Sequence, residues 1–171
     1  MNRGLRTLVG LRLLVVEDDD DTREVLALGL SLYGADVVAV SSAAEAIVAL
    51  EKGIPDVMLS DIGLPDEDGF ALIRRVRAMP PSRGGRVPAV AVTAYTLGDD
   101  AEEATRAGFQ WHFRKPVDTK ALFGVVAALA RSGRVERRRV ARRRHPPPPR
   151  TERPARSERR TDAERRTMGL A

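Results

Sequence analysis

Short apolar runs alternate with amphipathic segments over the first 130 residues. Residues 11–16 (LRLLVV) are apolar almost throughout, as expected of a strand covered on both faces. Residues 36–40 (DVVAV), the run Val57-Met58-Leu59 ending on Ser60-Asp61, and residues 89–92 ending on Thr93 read the same way. Residues 109–114 form a fifth, more polar run, which places it at a sheet edge; within it Trp111 shares the inward parity of Phe113 but lies nearer the strand's start, so it reads as a partly buried edge residue or as an anchor for a partner. Between these runs the period changes. The aspartates at 18–21 suit a helix start, Val25, Leu28 and Leu32 then repeat at helical spacing, and Gly34 closes the segment. Ser41-Ser42 caps a second helix with Ala43, Ala46, Ile47 and Leu50 on one face, ended by Gly53 and Pro55. A third helix spans about 68–79 with Leu72, Ile73 and Val76 inward, and residues 80–88 read as a plain loop. Gly98-Asp99-Asp100 starts a fourth helix that Gly108 ends. Asp118 caps a fifth, with Leu122, Val125, Val126 and Leu129 inward.

Five alternations of strand and helix, joined by short linkers, specify an α/β fold: a doubly wound, five-stranded parallel sheet with five helices and right-handed crossovers. The unit fits residues 11–130. Residues 1–10 read as a loose leader, and residues 131–171 as a disordered basic tail rich in Arg and Pro, with Pro146–Pro149 favouring polyproline II.

Charge sharpens this division. Residues 131–171 hold 15 arginines and 5 acids, whereas residues 1–130 hold 14 basic groups and 19 acids. The net charge of +5 therefore belongs to the tail, and a mildly acidic body argues against polyanion binding by the folded part. Two readings of the tail stay open: a solvated extension, or weak, non-specific polyanion binding. The absence of cysteine excludes disulfides and thiolate metal sites. No apolar run reaches the ~20 residues of a membrane span, and the basic-then-apolar start lacks a cleavage site. A cytoplasmic location is the expectation.

The candidate chemistry lies at strand ends. Glu17-Asp18 follows the first strand, Asp61 ends the third, Thr93 the fourth and Lys115 the fifth. All strand C-termini of a parallel sheet share one edge, so these residues converge on one crevice. Oxygen-only donors suit Mg²⁺, which would relieve repulsion among the carboxylates and neutralise a transferring phosphoryl group. A carboxylate can accept that group as an acyl phosphate.

The motifs LLVVEDD, LSDIGLPDEDG, AVTAY and FRKPVD together resemble the receiver (response-regulator) domain of two-component signalling, closest to receivers of hybrid histidine kinases. The resemblance covers residues 11 to about 130. It implies a flavodoxin-like sheet of order 2-1-3-4-5, with Asp61 as phosphoacceptor and Mg²⁺ held by Asp18, Asp61, the Gly63 carbonyl and, largely through water, Glu17. It further implies Thr93 as switch hydroxyl, Lys115 as phosphate-binding lysine, His112 at the switch-aromatic position, and a cis Lys115–Pro116 bond. The implied partners are a histidine kinase or histidine phosphotransfer protein, and a downstream protein on the fourth-helix/fifth-strand/fifth-helix face, where Trp111 could anchor it. No separate enzymatic output is expected. Gly63 offers no side chain to manage an attacking water, so slow dephosphorylation is expected unless Tyr95 alters it.

A rival reading takes Asp18-x-Asp20-x-Thr22 as the opening motif of a haloacid-dehalogenase-type phosphatase, with Asp18 as nucleophile and Asp20 as general acid. It leaves Asp61 and Lys115-Pro116 unexplained, and its motif order fails.

Overall fold

In the computed structural model of the protein, residues 7–65, 67–94 and 100–144 are described, apart from the side chains of residues 100, 138 and 140–144. The elements run β1 (Arg12–Val16), α1 (Asp20–Leu32), β2 (Asp36–Val40), α2 (Ala43–Lys52), β3 (Val57–Asp61), α3 (Gly69–Ala78), β4 (Ala89–Thr93), α4 (Asp100–Ala107), β5 (Trp111–Arg114) and α5 (Thr119–Arg144). All four strand pairings are parallel, in the order β2-β1-β3-β4-β5. This is the expected flavodoxin-like order.

Strand alternation divides the core in two. Leu14, Val16, Met58, Ala89 and Ala91 face one way and pack with α2, α3 and α4. Leu13, Val15, Val57, Leu59, Val90 and Val92 face the other way and pack with α1 and α5. With both faces covered, β3 and β4 are buried along their whole length. The helix starts are as expected: Asp19 accepts from Thr22 N–H, Ser42 from Glu45 N–H and Asp68 from Ala71 N–H.

Five expectations are corrected. First, the leader is not loose where it is described. Leu8 is fully buried, and its N–H donates to the Tyr33 carbonyl at 3.1 Å. Residues 1–6 lie outside the described residues. Second, Val25, Leu28 and Leu32 are exposed, and α1 buries Leu26 and Leu30 instead. Both sets have helical spacing. Contact with α5 chooses between them, because Gly29 faces the Phe123 ring and Tyr33 packs against it in a tilted pair, 4.5 Å between centroids. Third, the loop after α3 is pinned rather than plain. The Arg77 guanidinium donates to the carbonyls of Gly85, Val87 and Gly108 at 2.8–3.2 Å, tying α3 to the entries of β4 and β5.

Fourth, Trp111 is 52% exposed. It begins an edge strand that has a neighbour on one side only, and just Phe113 of that face reaches the α5 cluster. Fifth, α5 does not stop near residue 130 but continues as helix to Arg144. Residues 145–171, including the proline run, lie outside the described residues. A buried carboxylate holds the extension. Asp56, just before β3, accepts from Arg12 N–H at 3.0 Å, from Arg134 at 2.7 and 3.0 Å and from Arg137 at 2.5 Å. Gly133 makes room for this contact, since a Cβ there would lie 2.9 Å from Pro88 Cγ.

Burial alone would raise the Asp56 carboxyl, but the Arg134 hydrogen bonds, the Arg12 N–H and the Arg137 charge outweigh it and hold the group below its ordinary 3.8. A depressed folded value contributes stability above the unfolded value, and that contribution is lost as pH falls through the folded one. Asp56→Asn is expected to cost about 1–2 kcal/mol in urea denaturation at pH 7, a modest figure because both arginine side chains are more than 40% exposed. The gap from wild type should close below pH 3.8. Gly69→Ala is expected to cost about 1–3 kcal/mol by the same measurement, because its Cβ would lie 2.3 Å from the Asp61 carbonyl oxygen, a backbone atom that cannot swing away.

Candidate functional site

Asp56 apart, the buried polar residues of the described region gather toward the C-terminal edge of the sheet. Glu17 follows β1 and is 1% exposed; Asp61 ends β3 at 7% and Thr93 ends β4 at 2%. Two backbone devices aim Asp61. Gly69, the first residue of α3, passes against its carbonyl with no Cβ in the way, and Gly69 N–H donates to the next carbonyl, Ile62, at 2.9 Å. The Gly63 N–H then donates to Asp61 Oδ1 at 2.8 Å. Strand pairing sets Val92 beside Asp61, so Thr93 lies one position beyond it on the adjacent strand.

Lys115 closes the group. It follows β5, its N–H donates to the Thr93 carbonyl at 2.8 Å, and the next peptide bond, to Pro116, is cis as the resemblance implies. Its Nζ donates to Asp61 Oδ2 at 2.6 Å and to Glu17 Oε1 and Oε2 at 2.9 and 2.8 Å. The electrostatics follow from this bridge. Burial pushes the Glu17 carboxyl up and the Asp61 charge adds to that, against hydrogen bonding from Lys115. Burial works to lower the Lys115 ammonium, but its bonds to Asp61 and Glu17 prevail and hold it above its usual value.

Glu17, Asp18 and Asp61 each bring a carboxylate oxygen within 4.8 Å of the other two. Three hard oxygen donors with no nitrogen or sulfur among them fit Mg²⁺ rather than a softer metal. Asp18 is exposed while its two partners are buried, so the cluster opens to solvent on its side.

The structure thus brings together Glu17, Asp18, Asp61 and Lys115, sets Gly63 on Asp61 through its N–H, and seats Thr93 on the neighbouring strand. It does not bring His112 to the carboxylates: His112 is exposed, and pairs with Ala91 on β4, two positions before Thr93. Tyr95 lies outside the described residues. Asp20, the general acid of the phosphatase reading, is solvent-exposed and paired with Arg23. The direct Lys115–Glu17 bridge was not legible in the sequence, because the partners are 98 positions apart and each has a sufficient local reading without the other.

Comparison with known proteins agrees with this geometry. The response regulator receiver domain model matches residues 13–127. An uncharacterized 14.6 kDa protein of Leptolyngbya boryana is 42% identical over 122 residues, covering 71% of this chain and 92% of that protein. The response regulator protein FleR of Pseudomonas aeruginosa is 36% identical over 119 residues, which are 70% of this chain and only 24% of FleR. Among solved structures, the receiver domain of a sensor histidine kinase of Pseudomonas aeruginosa, with a magnesium ion coordinated in its active-site cleft, is 30% identical. The match has a TM-score of 0.64 and covers 71% of this chain and 98% of that one. With its motifs, strand order and acidic edge all accounted for, the chain belongs to the response regulator receiver family of two-component systems.

Proposed function

We propose that Asp61 takes the phosphoryl group in this receiver, from a phosphohistidine on a histidine kinase or histidine phosphotransfer protein. One observation carries the assignment: inside the three-carboxylate cluster, Asp61 is held on one oxygen by the Gly63 N–H at 2.8 Å and on the other by Lys115 at 2.6 Å, a shorter bond than either that Lys115 makes to Glu17. An Asp61 oxygen forms the new O–P bond, the P–N bond to the donor imidazole breaks, and its electron pair returns to the ring. Lys115 already lies at hydrogen-bonding distance and meets the added negative charge. Thr93 supplies a hydroxyl to a phosphoryl oxygen from the adjacent strand. Mg²⁺, held by Asp18, Asp61, the Gly63 carbonyl and Glu17, would supply charge neutralisation at the phosphoryl group; a magnesium-bound receiver among the solved relatives supports that choice of ion.

Phosphorylation would then bias the α4–β5–α5 face, with Thr93 and His112 as switch residues and the exposed Trp111 as an anchor for a downstream partner. The shift can be no larger than the difference in contacts that the phosphoryl group makes in the two states. In this reading the chain catalyses at most its own phosphorylation and dephosphorylation, has no separate enzymatic output, and acts in the cytoplasm. None of the helices among the described residues is long and apolar enough to cross a membrane.

With acetyl phosphate and Mg²⁺, the wild-type chain is expected to acquire an acyl-phosphate label on a phosphate-affinity gel, and Asp61→Asn none. A label persisting in that variant would overturn the assignment. Titration calorimetry gives a second check. Asp18→Asn should weaken Mg²⁺ binding roughly tenfold or more. Lys115→Met should instead tighten it, since Glu17 and Asp61 lose the cation that now balances them, while labelling slows.

A further inference from the structure

The positive charge of the C-terminal region is concentrated in residues 131–144, the end of α5. Residues 131–144 hold eight arginines and one glutamate, whereas residues 145–171 hold seven arginines and four acids. Two of the eight, Arg134 and Arg137, are committed to Asp56 and fix how α5 leaves the domain. Arg131 and Arg139 are exposed, and positions 138, 142, 143 and 144 continue the same helix.

We propose that the C-terminal part of α5 docks on double-stranded DNA, gripping its phosphates without reading sequence. Residues 131–144 span about 21 Å, and a helix with its side chains is about 10–12 Å across. The DNA major groove is about 12 Å wide, with one phosphate charge for every ~1.7 Å of duplex axis. Arginine, with no lysine present, supplies planar forks that match phosphate oxygens. The segment has no aromatic residue, so it offers no platform for stacking the bases of a single strand. A membrane surface is disfavoured, because the only apolar residues are Val135, Val140 and Ala141, too small a face to bury in lipid.

The placement also resolves a charge conflict. The body is acidic and would repel DNA at its phosphoacceptor edge. Asp56 and Asp61 lie at opposite ends of β3, about 17 Å apart, beyond the ~8–10 Å over which exposed charges interact at ordinary salt. The latch on Asp56 thus points the basic helix away from the edge that a phosphodonor must reach.

The test is fluorescence anisotropy of the full chain on short labelled DNA duplexes of two unrelated sequences, at rising KCl. Equal affinity for both is expected, with log K falling linearly in log salt. Replacing Arg138, Arg139, Arg142, Arg143 and Arg144 with Gln should weaken binding about tenfold or more at ~0.1 M salt and lower the salt slope by about one for each phosphate no longer neutralised. Replacing Arg150, Arg153, Arg156, Arg159 and Arg160 with Gln should leave most of the affinity. Acetyl-phosphate labelling of Asp61 should persist in both variants, which separates this proposal from the phosphoacceptor assignment and verifies folding. The proposal is overturned by binding that survives the helix substitutions, by an equal loss from the distal set, or by tighter binding to an RNA duplex or to anionic phospholipid vesicles.

Discussion

The Lys115 ammonium between Glu17 and Asp61 is the interaction on which the acidic edge depends. Two like charges about 4 Å apart repel by roughly 4 kcal/mol at an effective dielectric of 20, and burial makes the ions costlier still. Nothing local can supply the balancing cation, since Lys115 comes 54 positions after Asp61 and 98 after Glu17. Only a sheet that sets β5 next to β4, with all strands parallel, returns Lys115 to the edge where β1 and β3 end. The topology is thus the means by which a cluster of acids is made tolerable and chemically useful at once.

That dependence makes the backbone around Asp61 exacting. Asp61 is held from behind by Gly69, which has no Cβ to strike its carbonyl, and from in front by the Gly63 N–H. The apolar faces on either side of β3 and β4 exclude water from all but the outer side of the cluster, where Asp18 is exposed. Burial and solvent access are therefore divided among the carboxylates of one cluster.

Much of this was legible in the sequence because its signals are local. Apolar runs, caps at Asp19, Ser42 and Asp68, and turn glycines identify elements without reference to one another. The site residues were legible because each ends a strand, and strand ends of a parallel sheet must meet. His112 was legible as a position in a motif, yet its exposure follows from β5 lying at the edge. In α1, two sets of apolar positions had equally good helical spacing, so periodicity could not say which would face the sheet. The Phe123 ring decided it, by packing against Gly29 and Tyr33.

The sequence by itself determined the order of elements, the parallel sheet and the set of acids and one lysine at its edge, since these follow from periodicity and from where each apolar run stops. Tertiary structure alone decided which carboxylates Lys115 bridges, which face of α1 is buried, and that α5 runs on past residue 130. The last is the clearest case. Read locally, an arginine-rich stretch with few large apolar residues cannot offset the entropy of ordering. Asp56, distant in sequence and buried at the start of β3, supplies the counter-charge that a local reading could not see.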